Sequence, residues 1–209
     1  MILLNDVLIV YQSKVKNMGI IINQTLTWED HINQISRRIY GHLRRLWKFS
    51  DYIPINTKII LIKSLLIPHI LYEDILFHPM SSDCSTKLQV IFNDCIRYIY
   101  HLRRFDHISM YSDIIFGCSL FKYLDYRCCY FLYKLRCSGN PTYLYNLITF
   151  ANSRRTENFI VPRFTCRSLG MSFFVYAIKL WNALPVNAKR AVTTFKFKKE
   201  SGYFRELLI

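Results

Sequence analysis

Apolar and polar positions along the chain change period once, near residue 27, from short strand-like runs to long helical stripes. Val7–Tyr11, then Val15 and Met18–Asn23, are rich in β-branched residues and predict two short strands, with Gly19 near the start of the second. Thr27 followed by Asp30 reads as an acidic variant of a capping box. Beyond it, Ile32, Ile35, Ile39, Leu43 and Leu46 cover an arc of about 80° at helical spacing. Arg37 and Arg44 project to the opposite side, and Arg38 and Arg45 repeat seven residues apart on the flank. That helix therefore has one apolar and one arginine face.

The stretch from about Asn56 to Phe77 is also helical, and Pro68 should end or kink it. Ile59–Ile62 and Leu65–Ile67 run nearly all round it, which predicts burial on every side. A third helix fits Ser85–Leu102, with Leu88, Ile91, Cys95, Ile99 and Leu102 on one stripe and Asn93 and Arg97 off it. A fourth fits Leu120–Cys137, with Leu124, Cys128, Phe131, Leu132 and Leu135 inward, before the turn Ser138-Gly139-Asn140-Pro141. Residues 149–170 read as polar loop, Ser172–Ala183 as a short helix closed by Pro185, and Thr194–Leu208 as a last, basic helix. The fold class predicted is mainly α, with a small N-terminal β-hairpin and a basic, loop-rich C-terminal tail.

Composition sharpens this in two ways. With 52% hydrophobic and 20% charged residues, the 209-residue chain can bury a core and is not disordered. The net charge of +14 calls for a polyanion, either nucleic acid or an anionic membrane face. Its placement is uneven: residues 1–120 hold 13 Lys/Arg against 10 Asp/Glu, and residues 121–209 hold 15 against 4. The most apolar segment, Ile59–Phe77, contains Lys63, His69, Glu73 and Asp74, so a buried core helix fits better than a membrane span. Seven cysteines without paired spacing, and no signal-peptide pattern at Met1, predict reduced thiols in an intracellular protein of nucleus or cytoplasm, not a secreted one.

Catalytic patterns are sparse. Polymerase-type chemistry needs carboxylates grouped around two metal ions. The adjacent acidic pairs are Glu29-Asp30, which opens a helix, and Glu73-Asp74, which reads as making local polar pairs. Cys128, Cys129 and Cys137 lack zinc spacing, and core packing is the role expected of most cysteines. No phosphate-binding glycine loop and no esterase elbow occur, and His31, His42, His69, His78, His101 and His107 are scattered. His107 reads as a capping or core residue.

An ordered series of short segments carries a family likeness. Lys16-Asn17-Met18-Gly19-Ile20 with Leu26-Thr27-Trp28-Glu29-Asp30-His31-Ile32, then Ile67-Pro68-His69-Ile70-Leu71-Tyr72, resembles non-LTR retrotransposon (LINE-type, jockey-like) reverse transcriptases after their catalytic palm. Leu88-Gln89, Asn93–Ile99 and Arg103–Ser109 continue the resemblance. So do Pro141–Leu144, Val161-Pro162-Arg163, Ser172-Phe173, Leu180–Pro185 and Phe195-Lys196, so that it covers about residues 14–199. Ile115–Leu120 departs from the family pattern. The family's Ala-Asp-Asp polymerase motif, its upstream metal-binding Asp and its endonuclease domain have no counterpart in these residues.

The resemblance implies the end of a palm with a primer-grip-like hairpin over residues 1–26, a helical thumb-like domain over 27–140 and a basic tail over 141–209. Val15–Asn23 would be that hairpin. Arg37, Arg38, Arg44 and Arg45 would contact phosphates, with Lys196, Lys198 and Lys199 as tail contacts. The implied partner is RNA or an RNA/DNA template–primer, with no small-molecule substrate and no membrane. No enzyme activity and no cofactor are expected of these residues, Mg²⁺ belonging to the intact parent polymerase. The competing expectation is a host-adapted helical interaction protein that uses the scaffold without nucleic acid. A third is a peripheral membrane binder through the Phe- and Lys-rich Thr194–Leu208 segment.

Overall fold

The computed structural model describes the backbone of residues 2–4 and 7–9, and residues 12–151, 155–165, 170 and 172–203 in full. It is mainly α. Four short strands precede the helices and form two separate hairpins. β1 (Ile2–Leu4) pairs antiparallel with β2 (Val7–Ile9), so the first apolar run finds its partner upstream and not in the second run. Val10 and Tyr11 lie outside the described residues. β3 (Lys14–Asn17) pairs with β4 (Ile20–Asn23) in the register Asn17↔Ile20 to Lys14↔Asn23. The two-residue turn between them holds Met18 at φ 46° and Gly19 at φ 91°, the double positive φ that matches the twist of a tight hairpin.

This second hairpin is tied to the helices. Lys14 Nζ reaches Asp30 Oδ1 at 2.6 Å, and the Tyr72 hydroxyl donates to the Met18 carbonyl at 2.6 Å. Asn23 Oδ1 accepts from the Thr27 amide at 3.1 Å while its Nδ2 donates to Thr27 Oγ1 at 2.9 Å. The capping box expected of Thr27 and Asp30 is therefore not formed. Trp28 stands at the helix start with φ 63° and no side-chain cap, because Asn23 occupies Thr27 and the hairpin lysine occupies Asp30.

α1 (Glu29–Trp47) follows its stripe: Ile32, Ile35, Ile39 and Leu43 are buried and Leu46 packs at the edge. α2 (Ile55–Leu61) and α3 (Ile67–Leu71) are joined through a π-helical turn, Ile62–Leu66, in which the Ile67 amide donates five residues back to Ile62. Pro68 follows directly. It has no N–H and its ring cannot pass the carbonyl four residues earlier, so the backbone widens there. Burial on every side is corrected: Ile62, Leu66, Ile67 and Ile70 enter the core, but Ile60 and Leu65 are exposed and Lys58 is buried. A helix laid on α1 and on the helix Ser82–Tyr100 has only one inner side, whatever its composition.

α4 (Asp74–Phe77) is one turn long. α5 (Ser82–Tyr100) begins where Ser81 Oγ accepts from the Cys84 amide and ends at His101 with φ 56°. It is the central helix, with Phe92, Ile96 and Tyr98 buried besides the expected Leu88, Ile91, Cys95 and Ile99. Each such apolar side chain removed from water contributes roughly 1.5–3 kcal/mol.

α6 (Leu120–Ser138) stops at Gly139, φ 67°, as the turn pattern predicts. Leu120 and Leu124 belong to the first core, whereas Tyr126, Cys128, Cys129, Leu132, Tyr133 and Leu135 belong to a second. That second core is completed by α7 (Thr142–Tyr145), α8 (Phe173–Ala183), α9 (Val186–Lys189) and α10 (Thr194–Glu200), with Trp181 and Phe197 at its centre. The two cores thus meet inside α6, between Leu124 and Tyr126. Phe204–Leu208 of the expected last helix, and residues 152–154 and 166–169 of the expected loop, lie outside the described residues. Among the described residues no helix is long and apolar enough to cross a membrane.

Cys84, Cys95, Cys118, Cys128 and Cys129 are buried. Burial pushes the Cys118 thiol up to about 11 and the Cys129 thiol up to about 12, which keeps both protonated. His107 is exposed rather than capping or core, since the loop after α5 turns it to solvent.

Candidate nucleic-acid interface

α1 presents its cations on two flanks. At about 100° per residue, Arg37 and Arg44 share one side and Arg38 and Arg45 lie about 100° round from them. All four side chains are exposed, and among the described residues no ion pair uses any of them. Arg45 Nε donates to the Gly41 carbonyl at 3.2 Å, which holds that side chain against its own helix. Arg38 stands on the side of α3, where the His42 and His69 rings stack at 5.4 Å. Desolvation, His42 and Arg38 hold His69 below its ordinary value, and desolvation followed by Arg38 does the same to the buried His31.

The Arg37–Arg44 flank leads into an open cleft of about 500 Å³ between the C-terminal ends of α1 and α5. Tyr40, Leu43, Arg44 and Trp47 line it from α1, Asp94 and Arg97 from α5, and Leu102 and Arg104 from the loop that follows. Asp94 is its one carboxylate. It accepts from the Tyr40 hydroxyl at 2.7 Å and from Arg97 Nη1 at 3.0 Å, so both of its oxygens are engaged. Burial and Asp94 hold the Tyr40 phenol well above its ordinary value. Arg44 and Arg104 then remain as cations facing solvent.

Of the seven cations predicted as contacts, only Arg44 lines the cleft. Lys196, Lys198 and Lys199 are exposed on α10, which is anchored in the second core by Phe197. The sequence reasoning missed Tyr40, Trp47, Arg97 and Arg104. A signal for the first two was present: Arg37-x2-Tyr40-x3-Arg44-x2-Trp47 is a helical stripe that alternates cation and aromatic ring.

The hairpin expected over Val15–Asn23 is formed, with Met18 82% exposed at its tip and its turn fastened to Tyr72. The adjacent acidic pairs do not converge. Asp74 lies against Arg127, and Asp30 is engaged by Lys14. Among the described residues, no group of three His, Cys, Asp or Glu is placed to hold a metal ion.

Compared with protein-family models, curated proteins and solved structures, the chain matches none of them.

Proposed function

We propose that this chain is a nucleic-acid-binding module of the kind formed by the thumb and C-terminal region of non-LTR retrotransposon reverse transcriptases. Its arginine helix holds the phosphate backbone of RNA or of an RNA/DNA template–primer. The observation that carries this reading is the exposure of Arg37, Arg38, Arg44 and Arg45 on one helix, with no carboxylate paired to any of them among the described residues. Guanidinium groups grip phosphate oxygens through paired hydrogen bonds, and unpaired ones bring no competing anion to displace. In this reading the exposed lysines of α10 supply further, weaker contacts and the β3–β4 hairpin serves as the primer grip. Among the described residues no carboxylate cluster is placed to hold metal ions, and the role proposed for the module is binding.

Salt dependence tests this. Each phosphate neutralised adds roughly 0.7–0.9 to the slope of log K against log salt, so four arginine contacts predict a slope near 3 from α1 alone. Affinity for an RNA or RNA/DNA duplex that barely changes between low and physiological salt would falsify the assignment. The alternative, a helical interaction protein indifferent to nucleic acid, is favoured by the exposed Tyr52, Ile55, Ile60 and Leu65 around α2. It predicts no retention on RNA at any salt.

A further inference from the structure

A phosphate-gripping face needs only cations, yet this one is interleaved with aromatic rings and runs into a cleft. On α1 the order is Arg37, Tyr40, Arg44, Trp47, within an arc of about 80°. The last ring is 40% exposed and is held in place. Tyr98 meets the Trp47 indole edge-on at 5.5 Å and 82°, and His101 does so at 5.4 Å and 66°. Tyr98 is itself buried beneath the Lys58 ammonium, 5.4 Å from the ring centroid. Trp47 is thus a rigid, part-exposed plane whose ordering entropy is already lost on folding.

Around it the cleft carries three guanidinium groups, Arg44, Arg97 and Arg104, against the single, committed carboxylate of Asp94. Arg104 stacks over Phe105 at 5.8 Å, and Phe105 is 90% exposed beside it. The volume of about 500 Å³ falls within the usual range for small-ligand sites. A fixed aromatic plane flanked by free cations is the chemistry of single-strand recognition, in which a base stacks and its phosphates lie on arginines. In a duplex the bases already stack on each other, and the plane has nothing to receive.

We infer that the cleft between the ends of α1 and α5 is a base-stacking subsite for single-stranded nucleic acid. Trp47 takes an unpaired base there, Arg44 and Arg104 hold its flanking phosphates, and Arg37 and Tyr40 continue the track along α1. The inference rests on the nucleic-acid reading above and specifies which end of the ligand meets the cleft: a strand that has left, or not yet entered, a duplex.

The test compares a fluorescein-labelled 12-nucleotide oligouridylate, an abasic oligonucleotide of equal length and a duplex, each titrated with the full chain at fixed salt. Stacking predicts that the base-bearing strand binds more tightly than the abasic one by roughly tenfold or more. It also predicts quenching of tryptophan fluorescence on binding. Trp47→Ala erases both the preference and the quenching, and Arg104→Ala weakens binding of both single strands. Trp47→Phe restores most of the preference and guards against a mere folding defect. Equal, salt-dependent binding of base-bearing and abasic strands, or a preference that survives Trp47→Ala in a folded protein, overturns the subsite and leaves the phosphate-binding module standing. Absence of salt-dependent binding to any of the three ligands overturns the module and the subsite together.

Discussion

The two cores of this protein differ in how far positive charge is built into the fold. Around the first, Arg37, Arg38, Arg44, Arg45 and Arg104 stand in solvent with no carboxylate paired to them among the described residues. Around the second, where the formal charge is far higher, many cations are committed to the fold. Arg127 forks onto Asp74 at 2.6 and 2.8 Å and donates to the Leu71 carbonyl at 3.2 Å. Arg136 joins Glu157 at 2.7 Å and donates to the Lys189 carbonyl. Lys189, buried, gives its ammonium protons to Asn158 Oδ1 and the Asn182 carbonyl at 2.7 and 2.9 Å. Arg190 lies 3.7 Å from Glu157. Formal charge is therefore an incomplete guide to available charge: part of the larger excess is committed inside the fold, beside exposed lysines such as Lys196, Lys198 and Lys199.

The largest effect expected from breaking this contrast is on stability. Arg127→Ala strands the 1%-exposed Asp74 carboxylate at the joint between the cores. Desolvation already pushes that carboxyl above its ordinary range in spite of Arg127. Leaving a buried charge uncompensated costs about 3–5 kcal/mol, which urea denaturation reads directly. Nucleic-acid affinity of the folded fraction stays unchanged. A loss of affinity in that fraction would mean that the committed cations also bind.

The converse variant, Arg37/Arg38/Arg44/Arg45→Ala, should change stability by no more than about 0.5 kcal/mol per site while the salt slope falls by roughly 3. Retention of the parental slope assigns the phosphate contacts elsewhere. A smaller drop, of roughly 2 to 2.7, is expected for Lys196/Lys198/Lys199→Ala, since three cations are removed there and four on α1.

The mildest effect is a pH dependence rooted in the first core. His31 is buried against Phe77, ring centroids 5.4 Å apart, and neither of its nitrogens has a hydrogen-bond partner among the described residues. Its pKa lies below the ordinary 6.5 because desolvation, with Arg38 beside it, disfavours the charged ring. The unfolded chain therefore takes up the proton first. Stability is complete above about pH 6.5 and declines as the pH falls toward the folded-state pKa, by at most about 1.4 kcal/mol per pH unit for this group. His69, shifted in the same direction, adds to the decline. Thermal melts from pH 7.5 to 5 should show a shallower fall for His31→Leu than for the parent, and identical slopes would remove His31 from the account.

Local pattern was enough for the class of fold and for much of its detail. Ile32, Ile35, Ile39 and Leu43 are the buried stripe of α1, and Gly139 ends α6. Both follow from contacts within one turn of the chain, which the order of residues encodes directly. The strand partner of Val7–Ile9 and the start of α1 did not follow, because each depends on a competing local or distant group: Ile2–Leu4 in one case, Asn23 and Lys14 in the other.

What the sequence determined by itself is a mainly helical chain with an excess of cations and an arginine-bearing first helix. Which cations stay free was decided only by tertiary structure, since Arg127 meets Asp74 and Arg136 meets Glu157 across long stretches of chain. The same holds for the cleft, where Trp47 of α1 and Arg104 beyond α5 converge only because two helices pack side by side. Helical periodicity is written in neighbours a few residues apart. Ion pairing and concavity arise between residues that become neighbours only on folding.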